Sequence, residues 1–122
     1  MANNDLKRVG FIFDSEGNER FVKSLGLVNA SIRENYQDFK LMQAQWDKST
    51  TSTQKLKDTL VYLNNAMDLQ EDKVVSLKAE LAELENAETR DEVAIKKKKA
   101  AVTQAEATLQ KYKNQIQDTN NQ

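Results

Sequence analysis

A heptad repeat runs from Leu56 to Ile116 and limits the folds that this chain can adopt. Fourteen of the eighteen a and d positions are apolar, whereas the apolar content of 39% would give about seven. Such a repeat predicts a helix whose apolar seam must be buried against another helix. The apolar members of this heptad seam are Leu56, Leu60, Leu63, Met67, Val74, Leu77, Leu81, Leu84, Ile95, Val102, Ala105, Leu109, Tyr112 and Ile116.

Four polar residues interrupt the heptad seam: Gln70, Glu88, Asp91 and Lys98. Gln70 either fixes the register of the pairing helices, as buried polar residues do in coiled coils, or is simply tolerated there. The three charged residues cluster, and burying them in a seam would be costly. We therefore expect a helix break at about residues 86–91, which leaves most of this cluster at a solvated tip.

A break at that tip lets the two arms fold back as a helical hairpin in the C-terminal half, with Leu77 opposite Val102. One straight helix is the alternative, because the heptad phase continues across residue 89 and no Gly or Pro lies nearby. Flanking charges do not separate the two arrangements. A parallel dimer of straight helices brings like charges together, and we expect the hairpin to do so as well by setting Lys78 near Lys99 and bringing two glutamates together.

A second apolar stripe precedes the repeat, over residues 19–47. Its members follow alternating steps of four and three residues, and Asn35 is the one polar residue in the series. This pattern predicts an amphipathic helix that packs against a core or another subunit, with the tryptophan at its end as a packing anchor. The apolar members are Phe21, Leu25, Val28, Ile32, Phe39, Met42 and Trp46.

Polar residues at 48–53 separate the two patterns and carry a helix-start signal. Thr51 and Gln54 have the spacing of a capping box, in which the hydroxyl accepts the N3 amide hydrogen and the glutamine reaches back. We therefore expect a helix to begin at about residue 52. The coiled-coil helices then extend to about residue 118, with residues 119–122 frayed. The same spacing recurs at Thr89 and Glu92.

Residues 1–18 are predicted to form an N-terminal arm. Val9, Phe11 and Phe13 alternate with other residues, which favours a short strand at about residues 7–13, and residues 14–18 read as a turn. One strand cannot satisfy its own backbone groups, so it needs a partner near residues 19–24 or in another chain. The predicted fold is therefore mostly α, with one short N-terminal strand.

The amino-acid composition limits the reactions and ligands that this chain can support. The chain has no His and no Cys, and its formal charge is −1. It therefore lacks imidazole bases, thiolate nucleophiles and the usual zinc ligands, and it has no strongly basic footprint for nucleic acid. We expect no catalytic residue, no cofactor, no metal site and no specific nucleic-acid binding. The sequence also contains no apolar run of the ~18 residues that a membrane helix needs.

The ordered features of residues 8–118 resemble the N-terminal region of tail tape measure proteins of long-tailed bacteriophages and prophages of Gram-positive bacteria. The resemblance is carried by a short strand and turn around FIFDSEG, then by RFVKSLGLVNASI, FKLMQAQWD, KL, LN and QEDKVVSL, in that order.

This resemblance implies a structural role. Proteins of that family are extended and mostly helical, set tail length while tube subunits polymerise around them, and leave the tube so that DNA can pass. The implied partners are the tail tube protein and tail-assembly chaperones. The implied location is the virion tail lumen, with the host cytoplasm during assembly. Family members usually have many hundreds of residues, whereas 122 residues as one helix span only ~180 Å. We therefore expect a fragment, a truncated prophage product or a small tail-associated relative.

A bacterial coiled-coil adaptor or scaffold that links two partners is the alternative function. This alternative is inferred from the same helices and does not use the resemblance. Phage tail genes on either side of the gene would argue against it. Both functions predict self-association through the apolar stripes, because isolated helices of ~30 residues gain little stability from propensity alone.

Overall fold

The computed structural model describes residues 11–13 and 19–122. Strand β1 (Phe11–Phe13) and strand β2 (Glu19–Phe21) pair antiparallel, with Phe11 opposite Phe21. The predicted strand at about residues 7–13 extends beyond the described residues and stays a prediction. The predicted turn at 14–18 lies outside them altogether.

Helix α1 spans Leu25–Ala44. Ser24 has extended backbone angles and caps the helix, because its Oγ accepts the Leu27 backbone N–H at 3.2 Å. The expectation of one helix over residues 19–47 is therefore wrong at both ends. Residues 19–21 belong to β2, so Phe21 does not extend the helical stripe, and the helix stops before its C-cap, Gln45.

Helix α2 spans Ser52–Glu85 and begins where the sequence predicts. The Thr51 hydroxyl accepts the Gln54 backbone N–H at 3.0 Å, which confirms the first half of the expected capping box. The second half is wrong, because the Gln54 side chain donates to Asp58 Oδ1 at 2.8 Å.

The connection between α1 and α2 is organised by Asp47. Its Oδ1 accepts hydrogen bonds from the Ser49 hydroxyl at 2.6 Å and the Ser49 backbone N–H at 2.8 Å. These bonds to Ser49, followed by those to Thr50, lower the pKa of the exposed Asp47 carboxyl.

Helix α3 spans Glu92–Asn120. Its N-cap is Asp91, whose Oδ1 accepts the Ala94 backbone N–H at 3.0 Å. The Thr89 capping box is therefore not formed, because the helix starts three residues after Thr89. The helix also continues to Asn120, so residues 119 and 120 are helical and the expected fraying from residue 119 is wrong.

Helix α2 packs antiparallel against both of its neighbours. Lys23, just before α1, contacts Asp72, and Trp46, just after α1, contacts Asp58 near the start of α2. Helices α2 and α3 make the most extensive contact and form a hairpin whose tip, residues 86–91, coincides with the predicted break. The prediction of a mainly helical fold is confirmed for residues 22–122.

The hydrophobic core lies between the arms of the hairpin. Val74 and Leu77 on α2 are buried with Val102 and Ala105 on α3. Leu25 of α1 packs against this cluster, so the first helix closes the same core. Half-buried Leu81, Ala101 and Leu109 complete it.

Replacing Leu77 by Asp tests the core. Leu77 is only 4% exposed, so the new carboxylate would be buried without a partner. We expect it to lower the free energy of unfolding by about 3–5 kcal/mol. Val61→Asp is the matched control, since Val61 lies on the same helix but is 56% exposed, and it should cost about 0.5 kcal/mol or less. Urea unfolding followed by circular dichroism measures both. Equal losses would show that the Leu77 side chain is not in the core.

Candidate interaction surfaces

The hairpin interface contains a buried polar contact between its arms. Gln70 is 4% exposed, and its Nε2 donates to the backbone oxygen of Ala105 at 3.0 Å. This bond joins a side chain of α2 to the backbone of α3, and a shift along the helix axis would break it. Of the two readings that the sequence left open, the geometry therefore favours the one in which Gln70 fixes the register.

Ion pairs line the edges of the same interface. Lys98 Nζ lies 2.7 Å from Glu80 Oε1, and Lys78 Nζ lies 3.3 Å from Glu106 Oε2. The hairpin is expected to bring Lys78 and Lys99 together, but each of these lysines has a carboxylate partner: Lys78 pairs with Glu106, and Lys99 Nζ lies 4.0 Å from Glu85 Oε2. Each pair is partly exposed and contributes only about 0–1 kcal/mol to stability. Together they favour this antiparallel pairing over others.

Lys98 shows how a charged residue is accommodated in the heptad seam. The side chain is 26% exposed, so its stem is covered while its ammonium group reaches Glu80 at the edge. Long basic side chains often bury the aliphatic stem in this way. Leu81 therefore keeps an apolar neighbourhood and packs against the core.

The contact between α1 and α2 is aromatic at its far end. The Phe39 ring stacks on the Tyr62 ring with centroids 4.3 Å apart, and Trp46 meets Phe39 edge-on at 6.2 Å. The Trp46 indole N–H donates to Asp58 Oδ2 at 2.9 Å. Trp46 thus anchors the end of the first stripe, because it combines ring packing with a satisfied polar group.

The other end of that contact is polar. Asp72, whose residue is 8% exposed, pairs with Lys23 Nζ at 3.1 Å. In the middle, Asn35 donates from Nδ2 to the backbone oxygen of Tyr62 at 3.3 Å. The one polar residue of the first stripe therefore bonds to α2 rather than interrupting the contact.

A groove opens where α1 and α3 diverge on either side of Tyr62. Its larger part has a volume of about 520 Å³, and a neighbouring part of about 260 Å³ shares Tyr62 and Tyr112. The floor is formed by α2, and the walls include Phe39 from α1 and Thr108 from α3. A concave surface lined by aromatic side chains is suited to receive apolar groups of a partner.

The Tyr62 hydroxyl has a perturbed acidity. Burial raises its pKa to about 12, and the neighbouring Tyr112 and Tyr36 add to the increase. The neutral phenol is favoured because a phenolate would be poorly solvated there. The neutral phenol serves packing and hydrogen bonding in the groove.

The structure places the residues of the two predicted stripes at different depths. Phe21 lies in β2, and its side-chain surroundings fall outside the description. Buried members are Val28, Leu63, Val74, Leu77, Ile95, Val102 and Ala105. Half-buried members are Leu25, Ile32, Phe39, Met42, Trp46, Leu56, Leu60, Met67, Leu81, Leu84, Leu109, Tyr112 and Ile116.

Sequence reasoning missed a second buried face on α2. Ala66, Asp72, Val75 and Ser76 are all buried although none belongs to the heptad seam. A weak signal existed, because Tyr62, Ala66, Leu69 and Ser76 follow the same steps of four and three, with Lys73 breaking the series. This face marks α2 as the central helix of the three.

Within residues 22–122, no set of acidic side chains is arranged to share a metal ion. In the same part of the chain, no helix has the length and hydropathy needed to cross a bilayer. No protein-family model, curated protein or solved structure matches the chain.

Gln70→Ala tests the polar contact in the hairpin interface. The substitution removes the donor to Ala105 and leaves a small void, so we expect a loss of about 1–3 kcal/mol in the free energy of unfolding. Gln110→Ala is the control, because Gln110 is exposed and bonds only along its own helix to Asn114. It should change stability by about 0.5 kcal/mol or less. Chemical denaturation measures both, and equal effects would count against the interhelical bond.

Tyr62→Phe tests the raised pKa of the Tyr62 hydroxyl. The folded-state pKa of Tyr62 is about 12 against an ordinary value of 10.0, so the folded chain holds this proton more tightly than the unfolded chain. The resulting stability is fully present below pH 10 and is lost as the pH rises from about 10 to 12. We expect the free energy of unfolding to fall more steeply in this window for the native sequence than for Tyr62→Phe. Identical slopes in denaturant titrations of the two proteins would contradict the shift.

Proposed function

We propose that this chain is a structural phage tail protein, the N-terminal part of a tape measure protein that helps to set tail length and to organise tail tube assembly. Its work is mechanical, it carries out no reaction, and its place is the tail lumen after assembly in the host cytoplasm. Its partners are the tail tube protein and the tail-assembly chaperones.

The observation that carries this proposal is the use of apolar surface along the helices. In residues 22–122, apolar side chains pack helix against helix along a rod, and α2 alone, with 34 residues, is ~51 Å long. This architecture suits a protein whose function is to set the length of an assembly. The ordered resemblance of residues 8–118 to tape measure proteins supports the same proposal independently of the geometry.

Changing the length of α3 in the phage gene tests the proposal. Duplication of residues 92–119 adds ~28 residues, and at ~1.5 Å per helical residue we expect the tail to lengthen by ~42 Å. A third copy of the same segment should lengthen the tail by a further ~42 Å. Electron microscopy of purified virions measures both. A stepwise increase is the expected result, because a defect in assembly alone would not scale with the number of added residues.

A control checks that a substitution in this chain that leaves helix length unchanged also leaves tail length unchanged. Phage that carries Val61→Asp, an exposed change on α2, should retain the normal tail length. Unchanged tail length with two and with three copies of the segment would overturn the tape measure proposal.

The adaptor function is the second candidate, and the groove around Tyr62 favours it. A binding module needs a surface that receives a partner, and this groove offers aromatic side chains from all three helices. Mass spectrometry of purified virions distinguishes the two functions. A tape measure is found with tail tube protein inside the particle, whereas an adaptor remains with host proteins in the cell extract.

A further inference from the structure

The hairpin tip lies within a heptad pattern whose phase does not change across it. Helix α2 ends at Glu85 and α3 begins at Glu92, yet the a and d positions on both sides belong to one phase. Residues 86–91 are all exposed and include no Gly or Pro. The connecting segment can therefore become helical, which would join α2 and α3 into one straight rod.

Opening the hairpin would expose the core, but a second copy can cover it. In a dimer of two antiparallel rods, α3 of one chain packs against α2 of the other chain. In the hairpin, α3 packs in the same way against α2 of its own chain. The same cluster of Val74, Leu77, Val102 and Ala105 then forms twice between chains. The contact between Gln70 and Ala105 is also kept. Since these contacts are equivalent in both states, the tip decides between them.

The tip contains two residues that oppose the rod. Glu88 occupies an a position and Asp91 a d position, and both are exposed in the hairpin. In the exchanged dimer, the register of the core would set Glu88 of one chain beside Asp91 of the other. Four carboxylates would then meet at the centre of the seam, where like charges are costly.

In such a dimer, neither Lys98 nor Arg90 would offset the repulsion among these four carboxylates. Lys98 lies one heptad after Asp91 and already pairs with Glu80 at 2.7 Å. Arg90 occupies a c position, away from the seam, and its Nε lies 3.1 Å from Glu92. In the hairpin, by contrast, Asp91 has a favourable place, because it caps α3.

We propose that a second copy of this chain is a partner for the hairpin interface through exchange of α3, and that the carboxylates of Glu88 and Asp91 hold the chain in the hairpin form. The inference goes beyond the proposed function and does not depend on it, because it concerns only the balance between two pairings of the same helices.

The test replaces both residues with side chains that suit a seam. Glu88→Leu/Asp91→Leu fills the a and d positions and removes the central charges. Refolded from denaturant at high concentration, this variant should dimerise at least about 100-fold more tightly than the native sequence. Light scattering coupled to size-exclusion chromatography should then report twice the monomer mass of 13.9 kDa.

A distance measurement identifies the exchange. The chain has no Cys, so Lys57→Cys and Asn120→Cys accept donor and acceptor dyes cleanly. The two sites lie close together in the hairpin, whereas one straight helix separates them by ~95 Å. Labelled chains refolded with excess unlabelled chains should show strong energy transfer in the native sequence and almost none in the leucine variant.

Two matched variants keep the test decisive. Glu88→Gln/Asp91→Asn removes the charges but retains a capping residue at 91, and it should strengthen dimerisation at least about tenfold. Asn86→Leu/Thr89→Leu adds the same apolar groups at f and b positions, outside the seam, and should leave the mass monomeric and the energy transfer strong.

The proposal is overturned if the leucine and the uncharged variants both stay monomeric. It is equally overturned if they dimerise with energy transfer still strong, because intact hairpins would then be associating through another surface. Should the leucine variant aggregate, the uncharged variant alone decides, since it introduces no apolar group.

Discussion

Burial of α2 between its two neighbours holds the three helices together. Helix α2 buries one face against α3 and a second face against α1, so neither neighbour could leave without exposing apolar surface. A helix of that length gains little from its own propensity. Its stability comes from the two antiparallel contacts, and their alignment determines where α1 and α3 lie.

Polar residues specify that alignment more than they stabilise it. Gln70 bonds across the hairpin, Asn35 bonds to the backbone of α2, and Trp46 bonds to Asp58. Apolar seams tolerate sliding by a heptad, because one apolar layer resembles the next. A buried or half-buried hydrogen bond does not tolerate it, since a shifted partner leaves a polar group unsatisfied.

The sequence predicts the helices well because periodicity is a local property. The start of α2 follows from Thr51, and the heptad seam identifies the residues between the hairpin arms. Which face of α2 meets α1 could not be predicted, because that face mixes Tyr62 and Ala66 with polar Asp72 and Ser76. The charge pairs were also predicted wrongly, since long side chains such as Lys78 reach partners beyond the nearest layer. Function was harder to predict than fold, because packing of this kind is common among helical proteins and the proposal needed the resemblance of residues 8–118 beside the geometry.

The two ends of the hairpin lie side by side, at the N-terminal end of α2 and the C-terminal end of α3. Tension applied to those ends would act across the interface rather than along it. The layers would then separate one after another, as in a zipper, instead of resisting together as they would under shear. Such a hairpin yields to a small pulling force and releases stored contour length gradually, without the loss of its helices.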